Sequence, residues 1–205
     1  MALYPINLAL AGRKCLIVGG GAVAERKAID LLAAEAAVTV ISPTLTMVLT
    51  ELWEKGLIAH LAHEYHDGDI TDYLLVVCAT DNPAVNAAAA KEARAAGSLV
   101  NIADEPGGGD FSVPSRISRG DLLITVSTGG RSPAVAGMIR RELAERYGEE
   151  YGTWLKMIGN IREELKESCA DGKKREEFWR RAIEESLPLI KQGRLKEVEE
   201  KIRCI

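Results

Sequence analysis

A glycine-rich turn near the start of the sequence has the residue types and spacing of a phosphate-binding loop. Three glycines, residues 19–21, follow the apolar run 15–18 and precede a stretch rich in alanine and leucine. This order predicts a strand, a tight turn and a helix whose first N–H groups have no partner within the helix. Gly19 permits the turn, Gly21 leaves room for a pyrophosphate, and Ala24 lets the helix pack closely on the strand. The turn therefore predicts a bound dinucleotide. The residues expected to contact it here are Gly19, Gly21, Ala22 and Val23.

The loop after the second strand is expected to hold the ribose of this dinucleotide. An apolar run at 38–41 follows the glycine turn at the spacing of a βαβ unit, which favours dinucleotide binding over a turn that is glycine-rich for steric reasons alone. Such units usually carry an acidic residue after the second strand, but Ser42, Pro43 and Thr44 stand here. Neutral groups from these three residues must therefore hold the ribose, and the choice between NAD and NADP stays open at this point.

The loop after the apolar run 74–79 supplies one more expected contact with the cofactor. Thr80 can form a hydrogen bond with the cofactor, and Asp81 or Asn82 can cap the next helix. For Asp81, capping is favoured over direct contact with the cofactor.

Asp104 is the residue best placed for proton chemistry. It follows the apolar run 99–102, in a stretch that also contains Asn101. A carboxylate in this loop faces the nicotinamide end of the cofactor and can accept a proton while hydride leaves a substrate. A turn aspartate ahead of Pro106 explains its position equally well.

A segment rich in hydroxyl groups and glycine, residues 127–133, combines the groups that bind carboxylates or phosphates. It contains two hydroxyl residues, two glycines, Arg131 and a helix start at Ser132. The surrounding residues 114–147 hold six arginines against three acidic residues, a balance of +3 in a chain of net charge −4. This balance favours an anionic ligand over a glycine-rich connection without function. The negative total charge and the lack of interleaved aromatic residues argue against nucleic acid.

Alternating strands and helices must position these loops. The predicted helices include 44–55 and 83–96, each followed by a glycine that can end a helix, Gly56 and Gly97. The alternation predicts an α/β fold with a Rossmann-type doubly wound parallel sheet, in which ligands bind at the carboxyl ends of the strands. The five predicted strands are 14–18, 38–41, 57–62, 74–79 and 99–102.

The pattern changes in the second half of the chain. Two β-like segments, 111–117 and 121–127, flank a predicted turn at 118–120, and a helix begins at Ser132. From about residue 147 the chain is helical and densely charged, with an apolar stripe interpreted as core. The β-like segments would leave apolar surface beside a lone sheet, so we expect a homodimer. The three expected regions are a dinucleotide-binding domain at 1–110, a small β/α dimerisation segment at 111–146, and a helical C-terminal domain at 147–205.

The histidines and cysteines are not expected to hold a metal ion. His60, His63 and His66 are spaced by three, but residues 59–65 are predicted to form a strand, in which such residues point to opposite faces and cannot converge. The four cysteines include no C-x-x-C pair, so ordinary thiols are favoured over disulfides or a zinc site. No apolar run has the length of a membrane span and no secretory signal is visible, so we expect a cytoplasmic protein without membrane contact.

Taken together and in this order, the segments resemble the precorrin-2 dehydrogenase family, the dehydrogenase and chelatase module of siroheme synthase. The resemblance covers nearly all of the first 145 residues, and a neutral residue at position 42 is common in this family. It implies that NAD⁺ takes a hydride from precorrin-2 to give sirohydrochlorin, and some members also insert Fe²⁺ to give siroheme. The stretches that carry the resemblance are 4–6, 15–27, 79–81, 100–106, 110–111, 119–122 and 127–133.

The resemblance also assigns roles to the candidate residues. Asp104 matches the aspartate that the family implicates in both activities, as proton acceptor or orienting group beside the tetrapyrrole. The carboxylates of this substrate give the basic segment a concrete purpose, and the family forms homodimers. The residues expected to bind the substrate are Asn101, Arg119, Ser127, Thr128, Gly129, Gly130, Arg131 and Ser132.

Two other functions fit parts of the sequence. A regulatory module that senses NAD(H) without catalysis would need the glycine turn, but it would not need Asp104 or a second site for a polyanion. A dehydrogenase of an unrelated small substrate would be expected to add a substrate domain with a His or Lys acid, and none is visible. The sequence leaves open whether Fe²⁺ is a second substrate.

Overall fold

Five short parallel strands build the first half of the chain. The computed structural model describes residues 3–103, 105, 107–168 and 170–203, and the chain divides into two units, Met1–Val113 and Pro114–Ile205. The elements of the first unit are β1 (Lys14–Val18), α1 (Ala22–Leu32), β2 (Ala37–Ile41), α2 (Met47–Glu54), β3 (Ile58–Leu61), β4 (Leu75–Cys78), α3 (Pro83–Ala95) and β5 (Leu99–Ile102).

The order of the strands in the sheet is β3-β2-β1-β4-β5, and every neighbouring pair is parallel. The chain moves outward from β1 to β3 and then returns to place β4 on the other side of β1. The connections after β1 and β4 therefore diverge, which opens a crevice at the carboxyl edge of the sheet. The predicted doubly wound parallel sheet is confirmed.

Apolar side chains cover both faces of this sheet. Cys15 and Ile17 of β1 belong to a core cluster with residues of α1 and α2, whereas Leu16 and Val18 belong to a second cluster with residues of α3. Ala24 of α1 is fully buried in the first cluster. Because helices cover both faces, the strands are apolar without alternation, and this pattern made them recognisable in the sequence.

The third strand is shorter than predicted, and this changes the interpretation of the histidines. β3 ends at Leu61, so His63 and His66 lie in a loop where strand alternation does not apply. One potential ligand atom from each of His63, His66 and Asp69 lies within 4.8 Å of the others. The prediction that the histidines cannot converge is therefore wrong for two of the three. His60 stays on β3, where its Nε2 lies 2.8 Å from the carbonyl oxygen of Ser42.

The second unit consists of an antiparallel hairpin followed by helices. The hairpin begins at Ser115, four residues later than predicted, and Gly120 (φ +57°) lies in its turn. Arg119 is therefore part of a strand. The helices from residue 150 onward pack around a core that includes Trp154, whose Nε1 donates a hydrogen bond of 3.2 Å to the buried Ser186 Oγ. The elements are β6 (Ser115–Arg119), β7 (Leu122–Val126), α4 (Pro133–Arg146), α5 (Glu150–Ser168), α6 (Gly172–Lys191) and α7 (Leu195–Arg203).

The lengths and polarity of these helices bear on membrane contact. In the part of the chain that the structure describes, no helix has the length and apolar character needed to cross a membrane.

Candidate functional site

A cleft of about 810 Å³ opens at the carboxyl ends of β1, β2 and β4. This volume falls within the range of cofactor sites. The loops that follow the strands supply its walls, as expected for the crevice where the strand order reverses. All the residues predicted to bind the cofactor line this cleft: Gly19, Gly21, Ala22, Val23, Ser42, Pro43, Thr44 and Thr80.

The first two glycines of the turn are required by the packing of the protein itself. Gly19 has φ +121°, and a Cβ built there would lie 2.5 Å from the carbonyl oxygen of Ala79 at the end of β4. A Cβ on Gly20 would collide with the backbone oxygen of Thr44. Neither glycine needs a ligand to explain it.

Gly21 has a different environment. Its backbone is extended (φ −86°, ψ −172°), and a Cβ built there would meet none of the described residues within 4 Å. It stands directly before α1, where the described residues provide no side-chain hydrogen bond to cap the helix. The free N–H groups of the first turn therefore face open space in the cleft, an arrangement that suits the pyrophosphate of a dinucleotide.

Backbone hydrogen bonds hold the glycine turn in place. Gly19 N–H donates to the carbonyl oxygen of Ile41 at 2.9 Å, and Thr46 N–H donates to the carbonyl oxygen of Gly20 at 3.1 Å. Thr46 in turn caps α2 through its Oγ1, which accepts from Leu49 N–H at 3.2 Å. Hydrogen bonds within the protein thus connect the glycine turn to the loop after β2.

The charge of the cleft bears on which dinucleotide it accepts. Among the described residues that line it, Glu64 and Asp81 are acidic and none is Lys, Arg or His. Ser42, which replaces the usual acidic residue after β2, is 8 % exposed. The described part of the cleft wall therefore includes no cationic side chain.

Thr80 is held by an asparagine that the sequence analysis missed. The Oδ1 of the buried Asn86 accepts from Thr80 Oγ1 at 2.7 Å and from Thr80 N–H at 3.1 Å, and its Nδ2 donates to the carbonyl oxygen of Thr80 at 3.0 Å. The cap of α3 is Asn82, whose Oδ1 accepts from the N–H groups of residues 84 and 85. Of the two residues predicted as possible caps, Asn82 is the one that caps α3. The capping favoured for Asp81 is therefore wrong, and Asp81 lines the cleft.

Tyr65 lines the cleft from the loop after β3. Its hydroxyl donates to the carboxylate of Glu92 on α3 and lies 3.3 Å from Asp67 Oδ1. Burial, followed by the hydrogen bond and charge of Glu92, raises the pKa of Tyr65 well above its usual range. The phenol therefore stays protonated at neutral pH and does not act there as a base.

Two candidate residues, Asn101 and Asp104, were predicted at the end of β5 and in the loop that follows it. Asp104 lies outside the described residues, but its neighbour Ala103 lines the cleft and donates its N–H to the carbonyl oxygen of Cys78 at 2.8 Å. Asn101 Nδ2 donates to the carbonyl oxygen of Phe111 at 3.0 Å, so this amide holds the chain that doubles back along β5. Asn101 does not appear among the described residues of the cleft wall.

The remaining predicted residues belong to the second unit. Arg119 already has partners there: its Nε donates to the carbonyl oxygen of Tyr147 at 3.1 Å, and its Nη1 lies 3.0 Å from a carboxylate oxygen of Glu149. Arg131, by contrast, is exposed on the loop between β7 and α4.

That loop is shaped by its own hydroxyl groups. Ser127 Oγ accepts from Gly129 N–H at 3.2 Å, and Thr128 Oγ1 accepts from Ser132 N–H at 3.2 Å. Ser132 is the predicted cap of α4, with its Oγ accepting from Val135 N–H at 3.2 Å. Gly129 and Gly130 both have positive φ angles, +62° and +78°, which side chains disfavour.

Several residues of the cleft wall were not predicted as contacts. Those of the loop after β3 were missed because a strand was expected to continue to residue 65. The others, apart from Val85 in α3, lie in the same loops as predicted residues, so the position of those loops at the carboxyl edge was the available signal. The unpredicted residues include Gly20, Leu45, Thr46, Glu64, Tyr65, Asn82, Val85 and Ala103.

Comparison with known families divides the chain into three matched regions. Residues 6–115 match the family described as putative NAD(P)-binding. Residues 119–146 match the central region of sirohaem biosynthesis proteins, and residues 150–203 match the dimerisation region of sirohaem synthase.

Full sequences and solved structures give matches across nearly the whole chain. The siroheme synthase of Methylococcus capsulatus is 39 % identical over 200 residues, which is 97 % of this chain and 42 % of that protein. The siroheme synthase of Chromobacterium violaceum is 37 % identical over 184 residues, 90 % of this chain and 39 % of that protein. The chain thus spans about two fifths of the length of these relatives. A solved structure described as SirC, precorrin-2 dehydrogenase, is similar with a TM-score of 0.81 and 27 % identity, covering 99 % of this chain and 100 % of the other.

Proposed function

Since this chain belongs to the family of siroheme synthase N-terminal modules, with an NAD(P)-binding, a central and a dimerisation region, we propose that it oxidises precorrin-2 to sirohydrochlorin with NAD⁺. The observation that carries the proposal is the open space at Gly21, which the packing of the described residues leaves unexplained and which a pyrophosphate would fill. The likeness of the whole chain to the SirC structure supports the choice of substrate.

NAD⁺ is the proposed cofactor rather than NADP⁺. A 2′-phosphate on the adenosine ribose is usually met by an arginine, whereas the described wall of this cleft offers the carboxylates Glu64 and Asp81. Their charge disfavours the additional phosphate. We therefore expect the Kd for NADP⁺ to be higher than the Kd for NAD⁺. Glu64→Gln should bring the two Kd values closer together.

The reaction removes two electrons and two protons from the substrate. When bound, NAD⁺ accepts one hydrogen with both electrons as hydride. We assign the accompanying proton to the carboxylate of Asp104, which directly follows Ala103 of the cleft wall. Asn101 supports this loop through its hydrogen bond to Phe111, which makes it a positioning residue in the proposal.

The carboxylates of the tetrapyrrole require cationic and N–H partners. We assign them to the loop between β7 and α4, where Arg131 is exposed and Ser132 begins a helix whose N-terminus attracts anions. Ser127, Thr128 and the two glycines shape this loop. The match of residues 150–203 to a dimerisation region supports a homodimer, which light scattering on the eluted protein tests directly.

The decisive experiment is anaerobic incubation of the purified chain with precorrin-2 and NAD⁺, followed by the absorbance of NADH and of sirohydrochlorin. We expect both products in equal amounts. Asp104→Ala should abolish turnover while NAD⁺ affinity is retained, and Glu105→Ala, a neighbouring exposed carboxylate, should turn over like the parent.

Each alternative outcome has a distinct meaning. An inactive parent protein that still binds NAD⁺ would favour the sensing module, and an active Asp104→Ala variant would remove the proposed proton acceptor. Adding Fe²⁺ after sirohydrochlorin has formed tests iron as a second substrate. Siroheme formation faster than in a protein-free control would establish that activity.

A further inference from the structure

The loop after β3 carries a group of side chains that the proposed dehydrogenase does not use. We propose that His63, His66 and Asp69 bind a divalent transition-metal ion of the class of Zn²⁺ or Co²⁺. The proposal does not rest on the identity of the substrate or on the cofactor.

The three side chains are close enough to share one ion. One potential ligand atom of each lies within 4.8 Å of the others, and the rings of His63 and His66 have centroids 5.6 Å apart. Metal–nitrogen and metal–oxygen bonds of about 2.0–2.2 Å require ligand atoms about 3.4 Å apart around a tetrahedral ion. Side-chain rotations that move the ligand atoms by about an ångström would bring them from within 4.8 Å to about 3.4 Å of one another. Such rotations are accessible because His66 is exposed and the side chain of His63 is 41 % exposed.

The chemistry of the loop suits a borderline transition metal. Two imidazoles and one carboxylate are ligands that Zn²⁺, Co²⁺ and Fe²⁺ accept, and three protein ligands leave positions open for water. Residues 63–69 contain three acidic side chains and no Lys or Arg, so the local charge also attracts a cation. His63 Nδ1 lies 3.8 Å from Asp69 Oδ2 and 2.8 Å from the carbonyl oxygen of Glu64, so an ion bound between Nδ1 and the carboxylate would replace the contact with Glu64.

The backbone of this loop is held in place without a metal. His66 N–H donates to Asp69 Oδ2 at 2.7 Å, and Asp69 N–H donates back to the carbonyl oxygen of His66 at 3.2 Å. From α3, Glu92 Oε1 accepts the N–H groups of Gly68 at 3.0 Å and Ile70 at 2.9 Å. Binding therefore orders only side chains, which lowers its entropic cost.

The site adjoins the nucleotide cleft through the chain itself. Glu64 and Tyr65, which line the cleft, lie in sequence between the two histidines. An ion held by His63 and His66 would fix this part of the wall.

The test measures binding of Zn²⁺ and Co²⁺ to the full chain, with Cys169→Ser and Cys204→Ser in every protein so that these thiols do not compete. Zn²⁺ is measured by competition with a colorimetric chelator, and Co²⁺ by its visible absorption. We expect one ion per chain. His63→Ala, His66→Ala and Asp69→Asn should each weaken binding by at least the roughly 10- to 100-fold that follows loss of a supporting outer-shell partner.

His60→Ala is the matched control because it removes the third histidine, which bonds to the carbonyl oxygen of Ser42 and is not part of the group. The His60→Ala variant should bind Zn²⁺ and Co²⁺ as tightly as the parent. Asp69→Asn retains an oxygen that can accept from His66 N–H, so the fold of the loop is kept while the anionic ligand is lost. The proposal is overturned if the three variants bind like the parent, or if His60→Ala loses affinity to the same extent. The Tm of each variant, measured without metal or NAD⁺, shows separately that it is folded.

Discussion

Substitutions at two adjacent glycines of the turn should have different effects, one on binding of NAD⁺ and the other on the stability of the protein. Gly21→Thr should leave the protein folded but impair binding of NAD⁺, whereas Gly20→Ala should destabilise the protein. A side chain at position 21 meets none of the described residues near its Cβ, and threonine is about as favourable as glycine at a helix N-cap. The added methyl and hydroxyl groups instead occupy the space assigned to the pyrophosphate.

The expected magnitudes follow from these environments. Losing one charge-assisted hydrogen bond to a phosphate costs about 1.5–3 kcal/mol, or roughly a 10- to 150-fold increase in Kd for NAD⁺. Gly20→Ala places a methyl group against the backbone of Thr44, and such overpacking costs about 1–3 kcal/mol. For a chain of this size this corresponds to a decrease in Tm of about 2–12 °C.

Calorimetric titration with NAD⁺ and thermal unfolding without ligand separate the two effects. Gly21→Thr with an unchanged Tm and an unchanged Kd would refute the placement of the pyrophosphate. A Gly20→Ala variant as stable as the parent would refute the packing argument for the second glycine.

Three further predictions concern residues away from the phosphates. Asn86→Ala removes the hydrogen bonds that hold Thr80, so we expect a loss of about 1–3 kcal/mol in denaturant unfolding together with weaker NAD⁺ binding. Ser186→Ala leaves the buried indole N–H of Trp154 without its acceptor and should also cost about 1–3 kcal/mol; adding Trp154→Phe should give a double variant less destabilised than the sum of the two single ones. Burial raises the pKa of the Cys78 thiol from 9.0 to about 11, so its contribution to stability is complete below pH 9 and is lost as the pH rises through 11. The loss amounts to about 2–3 kcal/mol, and Cys78→Ala should flatten the dependence of the unfolding free energy on pH in this window.

The sheet and the glycine turn could be predicted from the sequence because both depend on local patterns. Parallel strands covered on both faces are short runs without polar residues, and residues 15–18 and 75–78 show such runs plainly. A glycine turn directly after the first run then places the turn at the carboxyl edge of the sheet. The position of the cofactor loops follows from these two facts alone.

The predictions that were wrong or missing concern the end of β3, the cap of α3 and the role of Asn86, where local sequence patterns do not decide between neighbouring residues. The sequence from Ala59 to Tyr65 contains enough apolar residues to be taken for a strand, although the pairing with β2 ends at Leu61. Asp81 and Asn82 are comparable as helix caps, and only the start of α3 decides that Asn82 takes that position. The role of Asn86 depends on a contact with Thr80 across the start of a helix, which no periodic pattern reveals.

The strand order has a consequence for the time at which the cleft can form. Its walls meet where β1 pairs with β4, in the register Cys15 with Leu75 to Val18 with Cys78, so they come from positions about 60 residues apart in the chain. Closing so long a loop is slow and must precede the contact between Gly19 and Ala79. During synthesis, the ability to bind a dinucleotide should therefore arise only after β4 has left the ribosome and joined the sheet. A nascent chain that ends before residue 75 contains the complete glycine motif and still has no cleft.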